Sequence, residues 1–235
     1  MKISGPLMQG AFLQRLNRFV ALVEVDGKEE LAHVANSGRL RELFQPRIPV
    51  YLRRAAREGR KTAYDLALVD LDGRLVSVDS RLPNDLVQEA LLEGSIAGME
   101  GYTDIRREVP YGAHRIDLLV QNGEPCLIET KSITLVAEGR ALFPDAPTER
   151  GASHMAALLR FRRESGKAAV MFVVQRDDAV SFSPNDQADP GFGRALREAA
   201  AGGVMVRAFA CRVGLQEISL SREIPICLPP APLPP

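Results

Sequence analysis

Apolar and polar positions alternate through the first 80 residues in short runs broken by tight turns. Positions 10–25 alternate and end at Asp26-Gly27, a hairpin turn signal. The run 31–35 pairs back, 50–54 and 63–71 follow, and Asp72-Gly73 turns the chain into 75–79. Five or six short strands joined this way predict a small closed barrel, for which an OB-like barrel is the natural candidate. The period changes at Leu82-Pro83-Asn84. Asn84 can cap a helix over 84–97 with Leu86, Val87, Ala90 and Ala97 as its apolar stripe. Three strands are predicted next, at 105–110, 115–121 and 125–131, the last two joined by Asn122-Gly123. A loop rich in Gly and Pro spans 137–147, and a helix starts at Thr148 or Ser153 and ends near Ser165. The unbroken apolar run 168–174 reads as a buried strand. Positions 191–201 read as a helix ended by Gly202-Gly203, with strands at 204–211 and 215–220. This order predicts an α/β domain on a mixed sheet. The expected organisation is an OB-like β-barrel over 1–80, an α/β domain over 81–228 and a Pro-rich tail over 229–235.

Composition narrows the class. Of 235 residues, 46% are hydrophobic and 26% charged, which suits a folded protein rather than a disordered one. No apolar run approaches the ~20 residues of a membrane-spanning helix, and the first residues carry no hydrophobic signal region. Cys126, Cys211 and Cys227 lack metal-binding spacing and read as reduced thiols of a cytoplasmic protein. The formal net charge of zero hides an asymmetry: residues 1–80 carry 13 basic and 10 acidic side chains, and the rest carry 17 and 20. Between Arg39 and Lys61 eight basic residues face only Glu42 and Glu58. Such a stretch, which includes Arg39, Arg53, Arg54 and Arg57, suits a polyanion; the alternative is a solvated loop in an Arg-rich chain.

The chemistry concentrates in the hairpin from Arg115 to Lys131. Asp117 lies in its first strand, and Glu129 and Lys131 end its second. Side chains alternate along a strand, so Glu129 and Lys131 share a face and Thr130 takes the other. The hairpin can bring Asp117 across from Glu129. Carboxylate oxygens suit Mg²⁺, which takes one or two of them, and a nearby lysine can stabilise developing charge. That is equipment for phosphodiester hydrolysis. The alternative is a structural ion pair at a sheet end. An acid-x-Lys triplet is weak alone, and Asp26-Gly27-Lys28 is a second copy at a hairpin turn. Context separates the two: only Glu129-Thr130-Lys131 ends an apolar strand after an Asp-bearing strand and a helix carrying Glu89.

The order acidic helix, Asp strand, Glu-x-Lys strand resembles the PD-(D/E)xK nuclease superfamily. Over almost its whole length the chain more closely resembles the sugar fermentation stimulation protein family. The resemblance rests on Arg18-Phe19, Asn36-Ser37-Gly38, Asn84, Glu89-Ala90, Gly101-Tyr102, Glu108-Val-Pro-Tyr-Gly112 and Arg115-Ile-Asp117. It continues through Glu129-Thr-Lys-Ser132, Thr134-Leu135, Phe143-Pro-Asp-Ala146, Thr148-Glu-Arg-Gly151, His154 and Phe182-Ser-Pro184. Thr130 stands where the family commonly has Val, and the Arg-Leu-Arg after Gly38 is unusually basic. The resemblance implies an N-terminal OB-like domain and a restriction-endonuclease-like domain. It also implies DNA binding and a regulatory link to sugar metabolism; the function expected is a Mg-dependent nuclease, and the alternative is a DNA-binding regulator that does not cut. Carried over residue by residue, Asp117 and Glu129 bind Mg²⁺ or Mn²⁺, and Lys131 is the catalytic lysine. Glu89 is the helix acid, with Glu108 as its rival. Arg18 and Asn36, in the resembling segments, join Arg39, Arg53, Arg54 and Arg57 as candidate nucleic-acid contacts. So do Arg150 and His154, four apart on one helical face, although His154 can equally pack against the sheet. The expected partner is DNA bound without sequence specificity, with no membrane role; an edge strand leaves room for a homodimer.

Overall fold

The computed structural model describes residues 1–3, 5–55 and 60–230. Arg57 lies outside them.

The first unit is a closed barrel built from β1 (Leu7–Asn17), β2 (Val20–Val25), β3 (Lys28–His33), β4 (Pro49–Arg54) and β5 (Tyr64–Leu71). β1 pairs antiparallel with both β2 and β4, and β4 with β5. A short parallel contact between β3 and β5, at Ala32 and Tyr64, closes the ring. β6 (Arg74–Ser77) adds to β5. Phe12, Val23, Val50, Leu52 and Leu66 fill the interior, joined by Leu40 and Leu43 from the β3–β4 connection. The single run expected over 10–25 is two strands. The chain reverses at Arg18-Phe19, where the Asn17 side-chain Oδ1 accepts the Phe19 N–H at 2.9 Å. A two-residue turn keeps side-chain parity, so alternation alone does not reveal it.

The second unit begins with α1 (Leu82–Leu92) and a hairpin pair, β7 (Asp104–Tyr111), β8 (His114–Asn122) and β9 (Glu124–Ile133). Then come β10 (Val136–Ala137), β11 (Arg140–Phe143), α2 (Glu149–Glu164), β12 (Lys167–Val174), β13 (Ser181–Pro184), α3 (Pro190–Ala201), β14 (Met205–Val213) and β15 (Ile218–Ile224). The main sheet runs β15-β14-β12-β9-β8-β7. Its centre, β9, β12 and β14, is parallel, and its flanks are antiparallel. The mixed sheet is as expected. One face packs on α1 and the other on α2 and α3, each over its own apolar core. Strand β12 is buried on both faces, which explains its unbroken apolar sequence.

Four local expectations change. The segment 137–147 is not only loop: β10 and β11 form a small sheet with β13, from strands too short to show a period. Helix α1 stops at Leu92 rather than Ala97, because Gly94 turns into positive φ. Asn84 sits inside its first turn and caps nothing; the cap residue is Arg81. The last strand starts at Ile218, after a turn in which Glu217 O accepts the Gly214 N–H at 2.8 Å.

The two units meet at the buried Gln175. Its carbonyl accepts the Ser77 N–H at 3.0 Å, and its own N–H reaches Ile133 O at 2.8 Å. Its side-chain amide donates to Asp79 O at 3.1 Å and to Ser132 Oγ at 2.8 Å. Asp145 Oδ2 accepts the Arg39 N–H, and Thr134 meets Glu42. Among the described residues no helix is long and apolar enough to cross a membrane.

Gly166, between α2 and β12, fixes how β12 approaches β9: a Cβ there would stand 2.4 Å from Pro125 O. Gly166→Ala is expected to cost about 1–3 kcal/mol of stability by overpacking. Urea unfolding measures it, and an unchanged midpoint would refute this account of the junction.

Candidate functional site

The site forms where the sheet changes direction, with β9 antiparallel to β8 on one side and parallel to β12 on the other. Glu129 and Lys131 lie toward the carboxyl end of β9, the end of the strands at which open α/β sheets place ligands. The β8–β9 ladder runs from Asn122↔Glu124 to Leu118↔Ile128 and stops. At the next residue the Asp117 carboxylate takes over: its Oδ2 accepts the Thr130 N–H at 2.8 Å. The strands splay there, and a side chain fills the place of a ladder bond.

Glu129 is 3% exposed. Its Oε1 accepts from His154 Nδ1 at 2.6 Å and from the Lys131 ammonium. His154 comes from α2, whose first turn Thr148 caps by accepting the Gly151 N–H at 3.0 Å. Arg150 Nε donates to His154 Nε2 at 3.3 Å, so the ring proton belongs on Nδ1, facing Glu129. His114 packs edge-on against the His154 ring, centroids 5.2 Å apart. Burial pushes the Glu129 carboxyl up, but the His154 bond and the Lys131 charge outweigh it and hold it below its ordinary value. Its second oxygen, Oε2, is buried with no hydrogen-bond partner among the described residues.

Asp117 has the opposite balance. Burial and then the Glu129 charge push its carboxyl above the ordinary value, against the Thr130 N–H and the Asn84 amide. Asn84 Nδ2 donates to Asp117 Oδ1 at 3.0 Å, and Asn84 Oδ1 accepts from the Thr130 hydroxyl. That hydroxyl also lies 3.1 Å from Asp117 Oδ2. Thr130 does face away from Glu129 and Lys131, but it is engaged with Asp117 rather than idle.

Asp117, Glu129 and Lys131 therefore meet as expected, with His154 and Arg150 behind Glu129. Glu89 does not join them. It lies five residues past Asn84, about 140° round the helix, and its carboxylate takes the Met1 ammonium at 2.7 Å instead. Glu108 is exposed at φ 53°, in the β7 position opposite Asp117. Among the described residues no group of three or more His, Cys, Asp or Glu is placed to hold a metal ion. The expected trio of carboxylates is a pair.

The expected nucleic-acid contacts divide. His154 is 2% exposed and serves Glu129, so it is not a surface contact. Asn36 is 8% exposed; its amide donates to Val78 O and its Oδ1 accepts the Gly38 N–H, so it shapes the loop from inside. Arg53 pairs with Asp65 at 3.8 Å, while Arg54 is exposed at the end of β4. Arg18 and Arg39 line a groove of about 610 Å³ with Arg41, between the barrel and Ala146-Pro147. Arg15 underlies this groove and donates to the carbonyls of Arg18, Asn36, Gly38 and Arg39. Arg150 is exposed at the start of α2, three residues beyond Pro147. Sequence reasoning missed Asn84, Thr130 and Arg41 as parts of these sites. For Arg41 the signal was present in Arg39-Leu40-Arg41.

Such a barrel, joined to a mixed-sheet domain with an Asp–Glu–Lys cluster between its antiparallel and parallel strands, defines a two-domain protein of OB and restriction-endonuclease type. Residues 13–78 match the family described as "SfsA N-terminal OB domain", and residues 81–217 match "Sugar fermentation stimulation protein RE domain". A sugar fermentation stimulation protein homolog of Caldanaerobacter subterraneus is 43% identical over 97% of this chain and 100% of its own. One from Natranaerobius thermophilus is 47% identical over 94% of each. The structure of Pyrococcus furiosus SfsA in complex with Ca²⁺ aligns with TM-score 0.88 at 30% identity, covering 96% of this chain and 97% of that one. The chain belongs to the sugar fermentation stimulation protein family.

A depressed carboxylate adds stability above its unfolded pKa of ~4.3 that is lost as pH falls through the folded value. Glu129 is such a group. His154→Ala is expected to remove about 1–3 kcal/mol at pH 7 and to narrow the stability difference between pH 7 and about pH 3, inside the window below the unfolded value. Urea unfolding at both values tests this; an equal loss at both would mean that His154 acts by packing alone.

Proposed function

We propose that the protein is a divalent-metal-dependent phosphodiesterase acting on DNA that it binds without sequence specificity. The observation that carries this reading is the buried, unpartnered Oε2 of Glu129 beside Asp117 and Lys131. A buried carboxylate oxygen without a donor suits a cation. Two carboxylates are also a sufficient protein share for Mg²⁺ or Mn²⁺, with water and phosphate oxygens completing the shell. The Ca²⁺ bound to the Pyrococcus furiosus relative supports the same reading.

In this reading Asp117 and Glu129 would hold the cation. When bound, it would polarise a phosphoryl oxygen and lower the pKa of the attacking water. Lys131, its side chain 14% exposed, would orient that water or stabilise charge developing on the phosphate. His154 and Arg150 keep Glu129 fixed and ionised. Asn84 and Thr130 fix Asp117. The raised Asp117 carboxyl gives up its proton more readily beside a cation, so loading favours higher pH. Arg18, Arg39 and Arg41 would take the phosphate backbone, which predicts salt-sensitive binding.

A second reading is a DNA-binding regulator that does not cut. It is favoured by the absence of a third carboxylate at the site among the described residues.

Two experiments test these readings. Mg²⁺ at millimolar concentration is expected to raise the melting temperature of the wild type, and not that of Asp117→Asn. The metal-free Asn variant should melt no lower than wild type at pH 8, since it removes a charge that burial and Glu129 disfavour. An equal shift in both proteins would overturn the ligand assignment. In the second experiment, labelled single-stranded and duplex DNA are incubated with Mg²⁺, Mn²⁺ or EDTA. Lys131→Ala should lose cleavage by about 10²-fold or more while keeping DNA affinity. Binding without cleavage by the wild type on every substrate would favour the regulator.

A further inference from the structure

The tip of the β1–β2 hairpin is built unlike the rest of the surface. Within four residues it exposes two large apolar side chains, Leu16 at 48% and Phe19 at 47%. Single exposed hydrophobics are ordinary, but these two share a tight turn that is held rigidly. Arg15 Nε donates to Asn17 O at 3.2 Å and its Nη2 to Arg18 O at 2.5 Å. Asn17 Oδ1 accepts the Phe19 N–H, and the Phe19 carbonyl accepts the Val34 N–H, both at 2.9 Å. The backbone of the tip is thus pinned while Phe19 itself is half out in water.

What surrounds the tip selects its ligand. Arg18 belongs to it, and Arg39 and Arg41 line the same groove. Among the described residues none of these three guanidinium groups is paired with a carboxylate. Asp145, the nearby acid, spends Oδ2 on the Arg39 N–H and so acts on the backbone. Three cations lining this groove, with an exposed aromatic ring next to Arg18 in the chain, match a polymer that alternates phosphates with flat bases. Base–aromatic stacking needs an unstacked base, which a paired duplex does not offer in its interior. Along the chain the groove also lies close to the residues that hold Glu129. Its wall ends at Pro147, three residues before Arg150, at most about 11 Å of chain, and Arg150 contacts His154 on Glu129.

We propose that the hairpin tip is a subsite for an unpaired nucleobase. Phe19 is the stacking platform, Leu16 its apolar neighbour at the tip, and Arg18, Arg39 and Arg41 hold the flanking phosphates. The preferred substrate is then single-stranded DNA or a duplex with an unpaired end, rather than continuous duplex. This rests on the nucleic-acid reading above and specifies its substrate.

The test is fluorescence anisotropy of the full chain with three labelled DNAs: a single strand, a blunt duplex and a duplex with a single-stranded flap. Phe19→Ala should weaken single-strand and flap binding about tenfold and duplex binding less than twofold, with Phe19→Trp restoring affinity. Arg39→Glu should weaken all three. A 2-aminopurine placed at the unpaired position should be quenched by wild type and not by Phe19→Ala. Melting temperatures of the exposed-site variants confirm folding. Loss equal on duplex and single strand, or no loss at all, overturns the subsite and leaves the phosphodiesterase reading standing. Wild-type protein that binds none of the three overturns both.

Discussion

A carboxylate in the interior must be held by donors, and most of the α/β domain is arranged around that requirement at Glu129. Removing a charge from water costs several kcal/mol unless neighbours compensate. Here the compensation comes from Lys131 on the same strand and His154 on α2. It follows that α2 must start where Thr148 and Asp189 place it: Asp189 Oδ2 accepts the Thr148 N–H at 2.7 Å, and its Oδ1 caps α3 at Phe192. One aspartate thus fixes two helix starts, and with them the distance from His154 to the sheet. Among the described residues only one of the two Glu129 oxygens finds a donor.

Asp117 shows the cost of keeping a second acid nearby. Two carboxylates this close repel, and the strand pair gives up its ladder to let Asp117 turn its oxygens toward Thr130 and Asn84. A neutral side chain would sit there more comfortably at neutral pH. Strain of this kind tends to collect at functional sites, where the ligand rather than the fold relieves it. The left-handed Glu108 across from Asp117 belongs to the same distortion of β7 and β8.

How much of this the sequence carried differed by scale. The barrel, the mixed sheet and the Asp117–Glu129–Lys131 cluster were legible, because strand period, Asn-Gly and Asp-Gly turns and an apolar run ending in Glu-Thr-Lys are local signals. The partners of the cluster were less so. His154 was on the right helical face beside Arg150, but whether it looked inward to Glu129 or outward to a ligand depended on the helix's rotation against the sheet. Glu89 went astray for the same reason: a residue at the edge of an apolar stripe can face either way, and Asn84 took the sheet-facing position. Thr130 was read by parity alone, which ignores that a splayed neighbour can reach round to the other face. Asn36 was expected, from the resembling segment around it, to contact nucleic acid, and only the closure of the barrel against Val78 showed it to be internal.

Gln175 joins these two units in a way that leaves little play between them. One buried residue bonds the end of β6 through its backbone, the Asp79 carbonyl and Ser132 through its amide, and β9 through its N–H. A linker of this kind is a spacer of set length, not a hinge. The separation between the barrel surface and the Asp117–Glu129–Lys131 cluster is therefore a dimension of the fold itself, as fixed as the span of a ruler.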